Sequence, residues 1–460
     1  MSGSAIVRVG VPAGLVLAVL LAYAGALHAP FQFDDWWAIV GDARAHSPEA
    51  WWRAQPGIRP LLKLVNALNW TLAATPPAFR ALNIAIHAAT ALLAWALWRD
   101  WLPRLAPRCP RPVFAAALAA ALFALHPACT EAVTYLSGRS VSLSTLAMFA
   151  ALLAWTQAVR DPSRARVAVV AGAVAFVVAV AVRETALVAP LAWLLLARGG
   201  GLGWREAFAP LRPLAWLLPL AALGAMLTPG YHSFVGWSLQ TRGMGAQLLG
   251  QVEAHRYLLL GPLPGRVLDI DPDVRVPVAF AASHGVALAI AVSAGVVAWR
   301  QRVARPWLGV ALGWYVLQLA PANSLLPRFD LANDRHLYAA LAGPALAVAI
   351  VVASLRPRAV AVGAATLLLA AAAARTVGRN ADYRSETALW EATVATSPAK
   401  ARPWTNLGFA RREAGDEAGA RHAFACARAH DPGYAPAAWI LAALGPDGPR
   451  RAAPACPASL

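Results

Sequence analysis

Eleven apolar runs, at residues 9–27, 80–98, 113–126, 141–158, 167–182, 185–197, 213–228, 278–298, 307–321, 337–354 and 359–376, constrain this chain more than anything else in it. Each approaches the ~20 residues that a helix needs to cross a bilayer core. Backbone immersed in lipid must satisfy its own hydrogen bonds, so runs of this kind cross as helices. The expected fold is an all-α polytopic membrane protein, with about eleven transmembrane helices in residues 1–378. Composition agrees: 59% of the 460 residues are hydrophobic and 14% are charged, and the mean hydropathy is +0.52. Arg8 precedes the first run and no A-x-A-type cleavage site follows Leu27. That run therefore reads as a retained span rather than a removed signal peptide.

A net charge of +17 invites a nucleic-acid partner, but its placement rejects one. Sixteen arginines fall in one alternating set of loops: Arg8; Arg99, Arg104, Arg108, Arg111; Arg160, Arg164, Arg166; Arg198, Arg205, Arg212; Arg300, Arg302, Arg305; and Arg356, Arg358. Only Asp100, Asp161 and Glu206 oppose them there. The positive-inside rule then puts the N-terminus inside and the C-terminus outside an inner (cytoplasmic) membrane. Lysine occurs only as Lys63 and Lys400, which reads as the base composition of a GC-rich, bacterial genome. The four cysteines form no CxxC and no Cys/His cluster, against a zinc or redox centre. Cys426 and Cys456 can pair only if both lie outside, and the tail around Cys456 reads as disordered, which weighs against the bond. No Gly-Lys phosphate loop is present, against a nucleotide-driven pump.

Two long loops are expected on the outer side, at 28–79 and 229–277. The first carries Trp36, Trp37, Trp51, Trp52 and Trp70, residues that suit contact with lipid headgroups, and two short interfacial helices at 46–55 and 59–73. Within the second, 246–260 reads as an amphipathic interfacial helix. It is not counted as a span because Gln247, Gln251, Glu253, His255 and Arg256 could not face lipid. Residues 385–444 change character. Trp404, Leu407, Gly408, Gly415, Ala420, Phe424, Ala427 and Pro432 stand at tetratricopeptide-repeat spacings, with Arg411 at the usual tyrosine position. Trp390 and Pro398 mark a degenerate unit before, and Ala438 and Leu441 begin a helix after. Residues 445–460 read as a disordered tail.

The polar residues hardest to explain by structure alone collect on the outer side. Asp34 and Asp35 follow the first span. Helical neighbours point ~100° apart, so one can serve as a base while the other orients a partner; an interfacial acidic turn is the plainer alternative. His126, Glu131 and Arg139 flank the break at Pro127, where an arginine suits a lipid-linked phosphate gripped bidentately. Helix capping and headgroup snorkelling are the alternatives for His126 and Arg139. Arg183 and Glu184 form a deep pair that either compensates itself or lines a polar cavity. Arg335, His336 and Tyr338 precede a late span; Arg59, with Glu253, Arg256 and Tyr257, sits in loops able to close over a substrate. Asp269, Asp271 and Asp273 resemble half a calcium loop, but its other ligands and its glycine are missing, so no metal is expected.

In order, Phe31-x-Phe33-Asp34-Asp35, Arg59-Pro60-Leu61, His126-Pro127-x-x-Thr130-Glu131-x-Val133-x-x-x-Ser137-Gly138-Arg139, Arg183-Glu184, Asp334-Arg335-His336-Leu337-Tyr338 and then the repeats make a chain that resembles the transmembrane and tetratricopeptide-repeat-containing O-mannosyltransferases, of the wider GT-C class. The departures are Arg183 for the usual lysine, Tyr135 for a tryptophan, Asp334 and His336 for glutamate and tyrosine, and a much shorter repeat array. The resemblance implies a GT-C bundle and an inverting transfer of a sugar, mannose in that family, from a polyprenyl-phosphate donor to a protein Ser or Thr. It implies no cofactor, since the lipid-linked sugar is a substrate. On that reading Asp34 is the base, Asp35 its support, and Arg139, Arg183 and Arg335 the donor-phosphate contacts. His126, Glu131, Glu184, His336, Arg59 and Tyr338 bind or support substrate, and the repeats hold the acceptor. Two rival readings stand beside it: a GT-C enzyme acting on a lipid or envelope glycan, and a non-enzymatic membrane scaffold.

Overall fold

In the computed structural model, which describes residues 9–54, 57–259, 263, 267–325, 327–434 and 456, helices dominate and no strand occurs among those residues. In chain order the main helices are α1 (Val11–Tyr23), α2 (Pro60–Leu72), α3 (Pro76–Leu105), α4 (Pro112–Ala124), α5 (Arg139–Arg160), α6 (Ala165–Val182), α7 (Ala189–Gly199), α8 (Leu214–Leu227), α9 (Met244–Leu259), α10 (Ala282–Arg300), α11 (Pro306–Leu319), α12 (Ala342–Ser354), α13 (Arg358–Asp382), α14 (Glu386–Thr396), α15 (Ala401–Glu413) and α16 (Glu417–His430), with further helices at Pro48–Arg53, Thr130–Val133, Trp204–Phe208, Pro229–Thr241 and Leu337–Ala340 between them. Proline opens many of them at the first turn, where the missing N–H costs nothing.

Every expected apolar run forms helix, though not every run is one long unbroken helix. Five helices are long and apolar enough to cross alone: α3, the continuous Leu136–Arg160, α6, α10 and α13. Two bent pairs, Pro112–Ala124 with Pro127–Val133 and Asp334–Ala340 with Ala342–Ser354, bring the number to seven, with bends of 52° and 55°. By contrast α1, α7, α8 and α11 have 13, 11, 14 and 14 residues. At 1.5 Å per residue they rise about 16–21 Å, short of the ~30 Å hydrocarbon core.

Helix α5 packs along α6 and α3, and α4 lies between α3 and α12. Tryptophans fill the interior as well as any headgroup belt: Trp98 meets Trp314 edge-on at 5.6 Å, and Trp193 meets Trp101 at 5.8 Å. Gly172 lets α6 close on Trp155, whose ring a Cβ there would meet at 2.4 Å. The arginine-rich loops gather at one end of this bundle. Arg160 pairs with Asp100 at 2.7 Å, Arg108 donates to the Ala304 carbonyl at 3.0 Å, and Arg111 donates to the Ala353 and Leu355 carbonyls.

Helix α9 lies where the sequence expects it, and its polar residues are taken up inside the protein. Gln247 donates to the Ser324 carbonyl at 2.8 Å, and Glu253 pairs with Arg256 and His284. At the C-terminus α14, α15 and α16 form a second core around Trp390, Leu407 and Cys426. A Cβ at Gly408 would meet the Phe424 ring at 2.4 Å, which explains the small residue at that helix crossing. Cys426 is disulfide-bonded to Cys456 with Cα atoms 5.4 Å apart, contrary to the expectation from a disordered tail. The rest of the tail at 445–460, and the helix expected at Ala438 and Leu441, lie outside the described residues.

Candidate active site

At the end of the bundle away from the arginine loops, the chain leaves α1 and turns sharply. Phe33 has φ +48°, in the left-handed region that a phenylalanine rarely enters. The next two residues then face different surroundings. Asp35 is fully buried: Oδ1 accepts from the Ser137 amide at 2.8 Å and from the Ser137 hydroxyl at 2.7 Å, while Oδ2 accepts from the Gln32 amide at 3.1 Å. Burial raises its pKa to about 6, and these hydrogen bonds with the nearby Arg80 charge keep it from rising further. Asp34 is half-exposed. Its amide donates to the Tyr135 hydroxyl at 3.2 Å, and that hydroxyl also contacts the Asp34 carboxylate.

Behind this turn lies a buried polar scaffold. Arg80, on the first turn of α3, donates to the carbonyls of Thr134, Ala29 and Pro30 and so clamps the exit of α1. Arg139 uses Nε on Asn83, Nη1 on Asn66, and Nη2 on both Asn69 and the Phe79 carbonyl, all within 2.6–2.9 Å. It is 1% exposed and four of its five N–H donors are engaged, so it braces α2 against α3 and is poorly placed to grip a phosphate. Gly138 beside it is jammed against the chain: a Cβ there would lie 2.0 Å from the Glu131 carbonyl oxygen.

A second group of charges surrounds a cavity of about 30 Å³ lined by Ser144, Thr145, Arg183, Gln318, Arg335 and His336 among others. Arg183 donates to the Ser140 hydroxyl at 2.8 Å. It does not pair with its neighbour Glu184, which takes Arg59 bidentately at 2.9 and 2.6 Å, with Arg328 3.7 Å away. Burial alone would raise the Glu184 pKa; the Arg59 guanidinium and the Arg183 charge outweigh that and hold it well below the usual carboxylate range. Arg59 sits at φ +58° ahead of Pro60, a strained backbone that the ion pair helps to hold. Glu131 accepts from the Arg335 amide at 2.8 Å and lies 3.4 Å from its guanidinium. Arg335 thus lines the cavity while also feeling the Asp34 charge. Three buried nitrogens around this group, Gln318 Nε2, His336 Nδ1 and Arg328 Nε, have no hydrogen-bond partner. Buried polar atoms are nearly always satisfied; Gln318 Nε2 and Arg328 Nε are donors, and together with the His336 ring nitrogen they mark a place able to receive a polar group.

The sequence-derived residues divide accordingly. Asp34, Asp35, Glu131, Arg183, Glu184, Arg335, His336 and Arg59 come together at this end. Two others take structural places. His126 caps the following turn, its Nδ1 accepting from the Ala128 amide at 3.2 Å. Tyr338 is fully buried and donates to His87 Nδ1 at 2.7 Å, while His87 Nε2 donates to the Ala124 carbonyl. The acidic triplet is also committed, Asp269 to Ser397, Asp271 to Lys400 and Arg402, and Asp273 to Arg275. Arg80, Arg328, Gln318 and Glu386 escaped the sequence reading. Only Arg80 left a trace, because Arg80, Asn83 and His87 recur at helical spacing on one face of an apolar helix.

No family model matches the chain. The protein O-mannosyl-transferase TMTC3 of Mus musculus is 30% identical over 159 residues, covering 31% of this chain and 16% of that protein. Over that stretch the chain is TMTC-like. TMTC1 of Homo sapiens is 31% identical over 176 residues, covering 34% and 19%, and TMTC1 of Mus musculus is 32% identical over 171. The chain thus spans less than a fifth of the length of each of these TMTC-type relatives.

Proposed function

We propose that this chain is a GT-C-type membrane glycosyltransferase, moving a sugar, mannose by analogy with its TMTC relatives, from a polyprenyl-phosphate donor to a protein Ser or Thr hydroxyl. The observation that carries the reading is Arg335. It lines the cavity together with Gln318 and His336, whose buried nitrogens lack hydrogen-bond partners, and it feels the charge of Asp34. A phosphate leaving group and a proton acceptor are the two things an inverting transfer needs on opposite sides of one sugar carbon.

The reaction is a single displacement. The acceptor oxygen bonds to the anomeric carbon as the bond to the donor phosphate oxygen breaks; that electron pair stays on the phosphate, and the hydroxyl proton passes to Asp34. Asp34 suits the task because it is half-exposed and steered by Tyr135, whereas Asp35 is buried and fully bonded and fixes the turn. Arg183 and Arg335 meet the charge growing on the phosphate, held in place by Ser140 and Glu131 so that no reorganisation is needed. Arg328 and Arg59, balanced only by Glu184, extend the positive field. Arg139 is omitted from this set because its nitrogens are committed elsewhere.

An inner-membrane location, with the site and the C-terminal helices outside, is part of the proposal. The arginine loops at the opposite end support it through the positive-inside rule, and the Cys426–Cys456 bond supports it because disulfides persist in oxidising compartments. The test is purified protein offered a panel of polyprenyl-phosphate sugars with peptide, lipid and glycan acceptors. Label moving to Ser or Thr in the wild type, and falling about 10²–10⁴-fold in Asp34→Asn, is the expected result. An active Asp34→Asn protein refutes the base, and label on lipid or glycan refutes the acceptor.

A further inference from the structure

The left-handed backbone at Phe33 is strained for a residue with a side chain, so something must hold it. The holding group comes from the other end of the chain. The Phe33 amide donates to both carboxylate oxygens of Glu386, at 3.2 and 3.3 Å. Glu386 also accepts from the Trp390 indole at 2.8 Å and from the Trp36 side chain. The Phe33 ring lies edge-on to Trp390 at 5.0 Å and stacks on Tyr135 at 6.3 Å. One residue earlier, Gln32 Nε2 donates to the Tyr383 carbonyl at 3.0 Å. Glu386 is itself fixed. It opens α14, where Ser385 caps the helix by accepting from the Ala388 amide at 3.1 Å, and the helix N-terminus favours a carboxylate.

We propose that Glu386 is a positioning residue of the reaction: by gripping the Phe33 amide it sets the turn that aims Asp34 and docks Asp35 on Ser137, making the C-terminal helices part of the catalytic scaffold as well as an acceptor-binding module. This rests on the reading of Asp34 as the base. Removing the carboxylate leaves the Phe33 amide and two indoles without an acceptor. The turn then relaxes toward an ordinary backbone, and Asp34 moves off line. A misplacement near 1 Å is enough to lower a rate about 10²-fold.

The experiment compares wild type, Glu386→Ala, Glu386→Gln, Arg402→Ala and Asp34→Asn, each purified whole in detergent, by donor kinetics and by hydrogen exchange of the peptide covering residues 31–38. Arg402→Ala breaks the ties to Asp271 and Asp330 without touching Phe33, and so controls for loosened docking of the C-terminal helices. Expected is a kcat lower by about 10–10² in Glu386→Ala with donor KM within about twofold, partial recovery in Glu386→Gln, and faster exchange of the 31–38 amides in both. Arg402→Ala keeps wild-type kcat and exchange at that peptide. Unchanged exchange in Glu386→Ala overturns the proposal, as does an equal loss of kcat in Arg402→Ala. Faster exchange with full activity in Glu386→Ala overturns it as well, because the grip on Phe33 then does not serve the reaction; an active Asp34→Asn instead overturns the reading of Asp34 as the base on which the proposal rests.

Discussion

Arg139 and Arg335 occupy the same end of the molecule, both buried, yet their surroundings are opposite. Arg139 has four oxygen partners on Asn66, Asn69, Asn83 and Phe79, which take four of its five N–H donors. Arg335 has one carboxylate beside it and sits near buried nitrogens of His336, Gln318 and Arg328 that lack partners. A buried cation with most of its donors taken holds chain segments together. A buried cation among unmet donors is arranged for something that arrives from outside. Charge and burial alone do not tell these two apart; the hydrogen-bond inventory does.

That contrast can be broken by substitution. Arg335→Ala is expected to lower kcat about 10²–10³-fold, with the protein still folded and monodisperse, because transition-state charge loses its partner. Wild-type turnover in that variant erases the distinction. Arg139→Ala is expected to act on the fold instead. It strands four buried acceptors, for a loss of roughly 3–5 kcal/mol comparable to breaking a buried ion pair, read as a lower melting temperature and yield. Arg139→Lys should not rescue it, since one ammonium cannot reproduce the planar fork. Arg328→Ala is expected to raise the donor KM about tenfold, the value of one charge-assisted contact at the low end, and to leave kcat nearly intact. A fall in kcat as large as that of Arg335→Ala would move Arg328 into the reacting group.

The mildest test is pH. Asp35 titrates near 6 because burial disfavours its charged form. A proton on Oδ2 competes with the bond from the Gln32 amide and weakens the grip on the turn, so kcat should fall tenfold per pH unit below about 6. Ser137→Ala removes a bond that favours the anion and should shift that limb upward. For stability the sign is reversed: the folded form holds this proton more tightly than the unfolded chain, so the group's contribution is full below about pH 4 and is lost as pH rises through 6. A flat acid limb down to pH 5 would detach Asp35 from the reaction.

The helices and the acid turn were legible because each is written locally, in apolar runs and in adjacent carboxylates. Arg139 misled because its Ser-Gly-Arg setting looks like an exposed phosphate contact, while the asparagines that capture it come from α2 and α3, 56 to 73 residues earlier. Tyr338 misled in the same way through His87, 251 residues away. Tyr135, noted only as a departure from tryptophan, brings to Asp34 a hydroxyl that an indole cannot supply. Glu386 had no local signal at all: its partner Phe33 is 353 residues distant. The breaks within the apolar runs were not legible, because hydropathy reports an apolar run but not how much of it remains straight helix.

Gly138 carries a consequence for the size of the substrate. Its α-carbon is wedged against the Glu131 backbone, with Glu131 leading to Arg335 on one side and Ser137 leading to Asp35 on the other. On the proposed mechanism the gap that a sugar must fit therefore depends on Gly138 carrying only a hydrogen atom there. Gly138→Ala would push the Glu131 segment away from the Ser137 turn, and with it Arg335 away from the acid turn.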